Sequence, residues 1–177
     1  ATALVANDPN GPQLERDPNS GQLLTVTTFF RNAGVLETDG IDLSIVKSFA
    51  TEIGKVNLTL NTSYVLTYDL EDPIAGNIDC KNKRNFTNFG LPMPDLRGAV
   101  GVAWKGDLHS SNVFVRYVSD YEDDNSENSV DSHTTVDVQF NYDLGAVFGE
   151  GTPAALTLGV KNLFDEQAPD VISRSGY

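Results

Sequence analysis

The chain has 177 residues, 40% of them hydrophobic, with 12 Lys and Arg against 25 Asp and Glu and a formal net charge of −13. That balance excludes nucleic acid as a partner, because a phosphate backbone needs a positive footprint. The single cysteine, Cys80, excludes an internal disulfide framework and a cysteine-built zinc site, leaving a free thiol or a bridge to a cysteine outside this stretch.

Ala1 opens directly into polar residues without the basic, apolar and small-residue order of a signal peptide, and any export signal is expected either to have been removed or to lie far upstream. DPNGPQLERDPNSG, 8–21, repeats an Asp-Pro-Asn turn, and two turn-forming stretches explain it without a metal. LLTVTTFF, 23–30, is extended and runs into the interruption at Asn32–Gly34. From there strand signals dominate, and neither sustained helical spacing nor an apolar run of membrane-helix length occurs. The first predicted strand is 35–48, with Ile41, Leu43 and Ile45 on one parity.

KVNLTLNTSYVLTYDL, 55–70, alternates most clearly. Val56, Leu58, Leu60, Tyr64, Leu66 and Tyr68 share one parity, while Asn57, Thr59, Asn61, Ser63, Thr67 and Asp69 take the other. Successive strand side chains point to opposite faces, so one face is apolar and the other wet. A long polar loop, 69–94, follows. Further strands are expected at 96–104 (Val100, Val102, Trp104), 112–121 (Val113, Val115, Tyr117, Tyr121) and 134–144, where Val136, Val138, Phe140 and Tyr142 oppose Thr135, Asp137, Gln139 and Asn141. The last, 154–164, carries Leu156, Leu158, Val160 and Phe164, and Asn162 breaks its pattern near a strand end.

The connections alternate as well. ATEIGK (50–55), WKGD (104–107) and LGAVFGEGT (144–152) are short and contain Gly, whereas 69–94, 121–133 and 164 onward are long and polar. Short turns at one end and long loops at the other is how an outer-membrane β-barrel is strung. Aromatic residues crowd the ends of the apolar stripes, as suits a water boundary, although strands favour aromatics anyway. The rival architecture is a soluble, secreted β-sandwich acting as an adhesin or carbohydrate-binding module. It requires the apolar faces of 56–68 and 136–142 to pack on each other.

Four stretches together resemble TonB-dependent outer-membrane receptors: RNAGVLETDGIDLSIVKSF (31–49), LPMPDLRGAVGVAW (91–104), HTTVDVQFNYDL (133–144) and LTLGVKNLFDEQAPD (156–170). The turn Asn162, Leu163, Phe164 and Asp165 is the most specific sign. The resemblance implies an all-β fold, an antiparallel up-and-down meander of about six strands that forms a segment of a large outer-membrane barrel. In that family the barrel has about 22 strands around a plugged lumen. The expected layout is an outer loop and extended lead-in at 1–34, six barrel strands at 35–164 and a truncated outer loop at 165–177. The plug domain, the segment that engages TonB and the closing strand are expected to lie outside this stretch.

The resemblance further implies a Gram-negative outer membrane, with lipid and lipopolysaccharide around the wall, a plug inside it, and a scarce nutrient as cargo: a ferric siderophore, haem, cobalamin or an oligosaccharide. It implies that Asp42, Arg116, Asp137, Gln139 and Asn141 form a wet lumen wall that contacts the plug and lines the substrate path. Lys81, Lys83 and Arg84 concentrate positive charge in the longest loop, where they either meet an anionic ligand or balance local charge.

No enzymatic chemistry or cofactor is expected. His109 and His133 stand in no nucleophile or metal arrangement, and Asp131, Ser132 and His133 are adjacent in an extended chain and so point apart. YEDDNSEN, 121–128, lacks the Gly and terminal Glu of a calcium loop. It reads as a solvated outer loop, the alternative being divalent bridging to lipopolysaccharide phosphates. Asn57-Leu58-Thr59 and Asn85-Phe86-Thr87 match glycosylation acceptors but carry no weight in a bacterial protein.

Overall fold

The computed structural model describes residues 11, 14–27, 34–72, 76–84, 91–123, 128–149 and 153–171. The chain divides into two units, Ala1–Gly34 and Val35–Tyr177. In the first, β1 (Leu14–Arg16) and β2 (Leu23–Val26) form an antiparallel hairpin. Its turn is organised by Asp17, whose carboxylate accepts the backbone N–H groups of Asn19 and Ser20. The hydrogen bond from Ser20 N–H and then that from Asn19 hold the Asp17 carboxyl below the ordinary aspartate range. Phe29, Phe30 and the Asn32 interruption lie outside the described residues.

In the second unit the period-2 pattern becomes a single sheet. Its strands are β3 (Val35–Thr51), β4 (Gly54–Asp72), β5 (Gly76–Asp79), β6 (Leu96–Lys105), β7 (His109–Val118), β10 (His133–Asp143) and β11 (Ala155–Val160). They lie in the order β11-β10-β7-β6-β4-β3, with β5 paired to the far end of β4. All pairings are antiparallel. A two-strand piece, β8 (Tyr121–Glu122) and β9 (Ser129–Val130), stands apart from this sheet. One helical turn, α1 (Gly145–Phe148), occupies the Gly-rich turn between β10 and β11.

Cross-strand register carries the apolar residues onto one face. Ile45 lies opposite Leu60, Leu60 opposite Val100, Val100 opposite Val115, and Val115 opposite Val136. Two rows further toward the short turns, the alignment runs Phe49, Val56, Trp104, Ser111, Phe140 and Leu158. Among the described residues nothing covers this face, and Ile41, Ile45, Val100 and Leu158 are all exposed. The sandwich expectation fails here: 56–64 and 136–142 share one face of one sheet, separated by β6 and β7, instead of packing together.

At 17 and 19 residues, β3 and β4 far exceed the roughly 9–11 that a tilted strand needs to cross a bilayer. A β-bulge divides them. Asp39 pairs with Thr67, but Gly40 pairs with Val65, leaving Leu66 as the extra residue. Gly40 is required there, because a Cβ would sit 2.9 Å from the Tyr64 carbonyl oxygen. The extra residue reverses the faces of β4 beyond it. Tyr68, expected on the apolar face, lies opposite Thr38 on the side of Asp42, and Thr67 turns outward, where its hydroxyl bonds to Asp39.

Three more expectations need correction. Residues 69–79 are not loop: β4 runs to Asp72, and the chain returns as β5, pairing Asp79 with Asp69. Strand 112–121 is β7, ending at Val118, so Tyr121 belongs to β8. Strand 154–164 ends at Val160, and Phe164 sits in a turn, 74% exposed. Its successor Asp165 and the earlier Asn162 both adopt left-handed backbone, with φ of 53° and 50°.

Candidate functional site

The polar face of the sheet is a hydrogen-bonded wall. Ser44 donates to Asn61 Oδ1 at 2.8 Å, and Ser48 to Asn57 Oδ1 at 2.6 Å. Ser63 donates to Asp42. Asn141 links three neighbours: its Nδ2 donates to Ser110, and its Oδ1 accepts from Thr157 and Gln139. Arg116 and Asp137 lie diagonally across β7 and β10 and form an ion pair at 2.7 Å. All five wall residues named from the sequence, Asp42, Arg116, Asp137, Gln139 and Asn141, therefore stand on one face. Only Arg116 with Asp137 and Gln139 with Asn141 touch each other.

Two features of this face were missed. Phe114 has the wall's parity, and its ring lies over Gly101, where a Cβ would come within 2.9 Å of Cε1. Arg97 faces the same side, opposite Ser63 and diagonal to Arg116, across a shallow recess containing Ala99, and donates to the Pro92 carbonyl at 3.2 Å. Counting parity along β6 and β7 was enough to find both.

The motif Asn162, Leu163, Phe164 and Asp165 anchors the chain where β11 ends. Asn162 closes a ring with Glu166, donating Nδ2–H to its carbonyl and accepting its N–H. The Asn162 N–H donates to Asp137 Oδ1 at 2.9 Å, and Leu163 N–H to the Val136 carbonyl. The turn is thus fastened to β10.

The long-loop end contains most of the buried side chains of the described residues: Cys80, Arg84, Ser119, Asp123 and Val130. Residues 82–84 run alongside β8. Glu122 N–H donates to the Asn82 carbonyl, and Arg84 N–H to the Glu122 carbonyl. The Arg84 guanidinium meets Asp123 at 3.2 Å, the two side chains being 9% and 1% exposed. Burial also pushes the Tyr121 hydroxyl above its ordinary range.

The three cations named from this loop do not converge. Lys81 stands 5.1 Å over the Tyr64 ring. Lys83 pairs with Asp79 at 3.0 Å, and Arg84 is directed to Asp123. Partial burial pushes the Asp79 carboxyl up, but the Lys83 hydrogen bond, the Lys81 N–H and the two lysine charges together bring it below 3.8. The same hydrogen bond holds Lys83 above 10.5. Cys80 is fully buried, which shields its thiol. Residues Asp124 and Ser126 of the acidic loop lie outside the described residues, and no group of three metal-ligating side chains occurs among those described.

A sheet with one uncovered apolar face, one hydrogen-bonded polar face, short turns at one end and packed loops at the other is a wall segment of an outer-membrane-type barrel. The model of the TonB dependent receptor-like β-barrel family matches residues 3–163. The chain belongs to that family, which comprises outer-membrane receptors and transporters. No curated protein and no solved structure matches the chain.

Proposed function

We propose that this sheet forms part of the wall of an active-transport receptor in a Gram-negative outer membrane, taking up a scarce nutrient with energy delivered through TonB. The observation that carries this reading is the sorting of the faces between Ile41 and Phe49 and their cross-strand partners, where Lys47 is the only charged outward side chain among the described residues. Those nine residues span roughly 27 Å along the strand. Tilted by about 40°, they cover about 20 Å of depth, near the ~25 Å apolar band of such barrels.

In this reading the short turns face the periplasm and the long loops face outward. Residues 35–164 supply the wall and its fastened turn, 1–34 a lead-in and 165–177 part of an outer loop. The free edges of β3 and β11 pair with further strands, since unpaired N–H and C=O groups are costly in lipid. Asp42, Arg116, Asp137, Gln139 and Asn141 face the plug and the cargo path. Lys81, Lys83 and Arg84 act on cargo capture by shaping the outer loop, since each is engaged within the chain. The cargo is a ferric siderophore, haem, cobalamin or an oligosaccharide.

The test uses the intact receptor in cells with and without a functional TonB system. Cargo binding at the surface is expected in both, and uptake only where TonB works. Uptake that persists without TonB would overturn the reading.

A further inference from the structure

Between Ile41 and Phe49 and the residues paired with them, the outward-facing positions of the sheet hold no carboxylate. Tyrosines aside, the ionisable residue among them is Lys47, and His109 lies one outward row beyond Phe49, opposite Tyr142. Both are basic and exposed, and both stand toward the short turns. Beyond the bulge, by contrast, the same outward side carries Glu37, Asp39, Asp69 and Asp79. In a chain with 25 acidic and 12 basic residues, this sorting matches a surface that meets fixed negative charge at the short-turn end of its apolar band.

His109 is held in an aromatic surround. Its ring stacks on Tyr142 at 5.6 Å and 15°, with Trp104 at 5.8 Å and Phe140 at 6.2 Å. These rings continue the apolar band and place an imidazole at its rim, where acyl chains give way to headgroups. Lys47, opposite Leu58 and one pair above Phe49, can extend its ammonium to the same boundary. Neither side chain forms an ion pair with another described residue. Imidazole and ammonium donors with no partner of their own suit phosphate oxygens.

We infer that His109, with Lys47 as a second grip on β3, binds the phosphate groups of phospholipids in the periplasmic leaflet. This rests on the membrane reading above, so the test separates the two. The intact receptor is placed in nanodiscs of phosphatidylglycerol or of monogalactosyl diacylglycerol, which lacks phosphate. Protease resistance reports insertion, and native mass spectrometry reports the lipid retained. Wild type is expected to insert in both and to retain phosphatidylglycerol about tenfold more strongly. His109→Phe and Lys47→Met should each lose part of that preference, and His109→Lys should keep it. Equal retention of both lipids, or unchanged preference in His109→Phe and Lys47→Met, overturns the site while leaving the membrane reading intact. Failure to insert in either lipid removes both.

Discussion

Asp137 accepts a hydrogen bond from the backbone N–H of Asn162, 25 residues along the chain, at 2.9 Å. Its other carboxylate oxygen holds Arg116 at 2.7 Å. One side chain on the wall therefore fastens both a neighbouring strand and the turn that follows β11. Asp137→Ala removes the acceptor of both, at an expected cost of about 1–3 kcal/mol. Amide exchange at Asn162 and Leu163 should accelerate while that of β4 is unchanged. Equal acceleration across the sheet would contradict a local fastening role.

Asn162→Ala tests the turn from the other side. It loses both hydrogen bonds to Glu166 and places a Cβ-bearing residue without side-chain compensation at φ 50°. Destabilisation of about 1–2 kcal/mol is expected in chemical unfolding of the intact receptor, with Asn162→Gly milder because glycine tolerates that φ. If Gly were the worse substitution, backbone conformation would not be the controlling factor.

The turn was legible as a motif, but its mechanical role was not, since Asp137 lies on a different strand. The strands themselves were legible because a half-apolar sheet enforces period 2 across β4 and β10. Tyr68 was misplaced because parity counting assumes an unbroken ladder, and one extra residue at Leu66 reverses it. Gly40, the residue that permits the bulge, was visible but had no sequence neighbour to interpret it. β5 was hidden by its length of four residues, too short for a periodic signal. The Arg84–Asp123 pair joins positions 39 apart, and no local pattern announces it.

The bulge makes its own prediction. With Cys80 replaced by Ala, cysteines at Asp39 and Thr67 should cross-link readily, being directly opposed on one face. Cysteines at Asp39 and Leu66 should not. Gly40→Val should slow the first cross-link, because its Cβ meets a backbone oxygen at 2.9 Å. Efficient 39–66 cross-linking would restore the unbroken register expected from sequence.

Asp123→Ala removes the carboxylate facing the buried Arg84 guanidinium. Breaking one side of a buried pair costs about 3–5 kcal/mol. Here the cost should fall on local opening of 80–84 against 119–123, read by amide exchange at Arg84 and Glu122. The double change Arg84→Met with Asp123→Leu should recover much of the protection, because no uncompensated charge is left behind. No recovery would show that the ion pair has a role beyond packing.

Asp79 and Lys83 set a pH window for the same loop. The Asp79 carboxyl is depressed below 3.8, so its contribution is present above that value and is lost as pH falls through the lower folded pKa. Lys83 is raised above 10.5, so its contribution is present below that value and is lost as pH rises through the higher folded pKa. The pair should therefore hold from about pH 4 to about pH 10. Both side chains are about a third or more exposed, which limits the effect to below about 1 kcal/mol. Exchange at Lys81 N–H, which donates to Asp79, should show this on its acid side and be abolished by Asp79→Asn. An acid response that survives Asp79→Asn would assign it elsewhere.

The most direct test of the central claim is the accessibility of the two faces of β10 in a bilayer. Single spin labels at 134–142 in the intact receptor, with Cys80 replaced, are exposed to oxygen, which concentrates in lipid, and to a water-soluble nickel chelate. Positions 136, 138, 140 and 142 should favour oxygen, and 135, 137, 139 and 141 should favour the chelate or be shielded from both by the plug. Shielding of the even positions from both reagents would mean that protein, not lipid, covers Val136, Val138, Phe140 and Tyr142, and the barrel-wall account would fail.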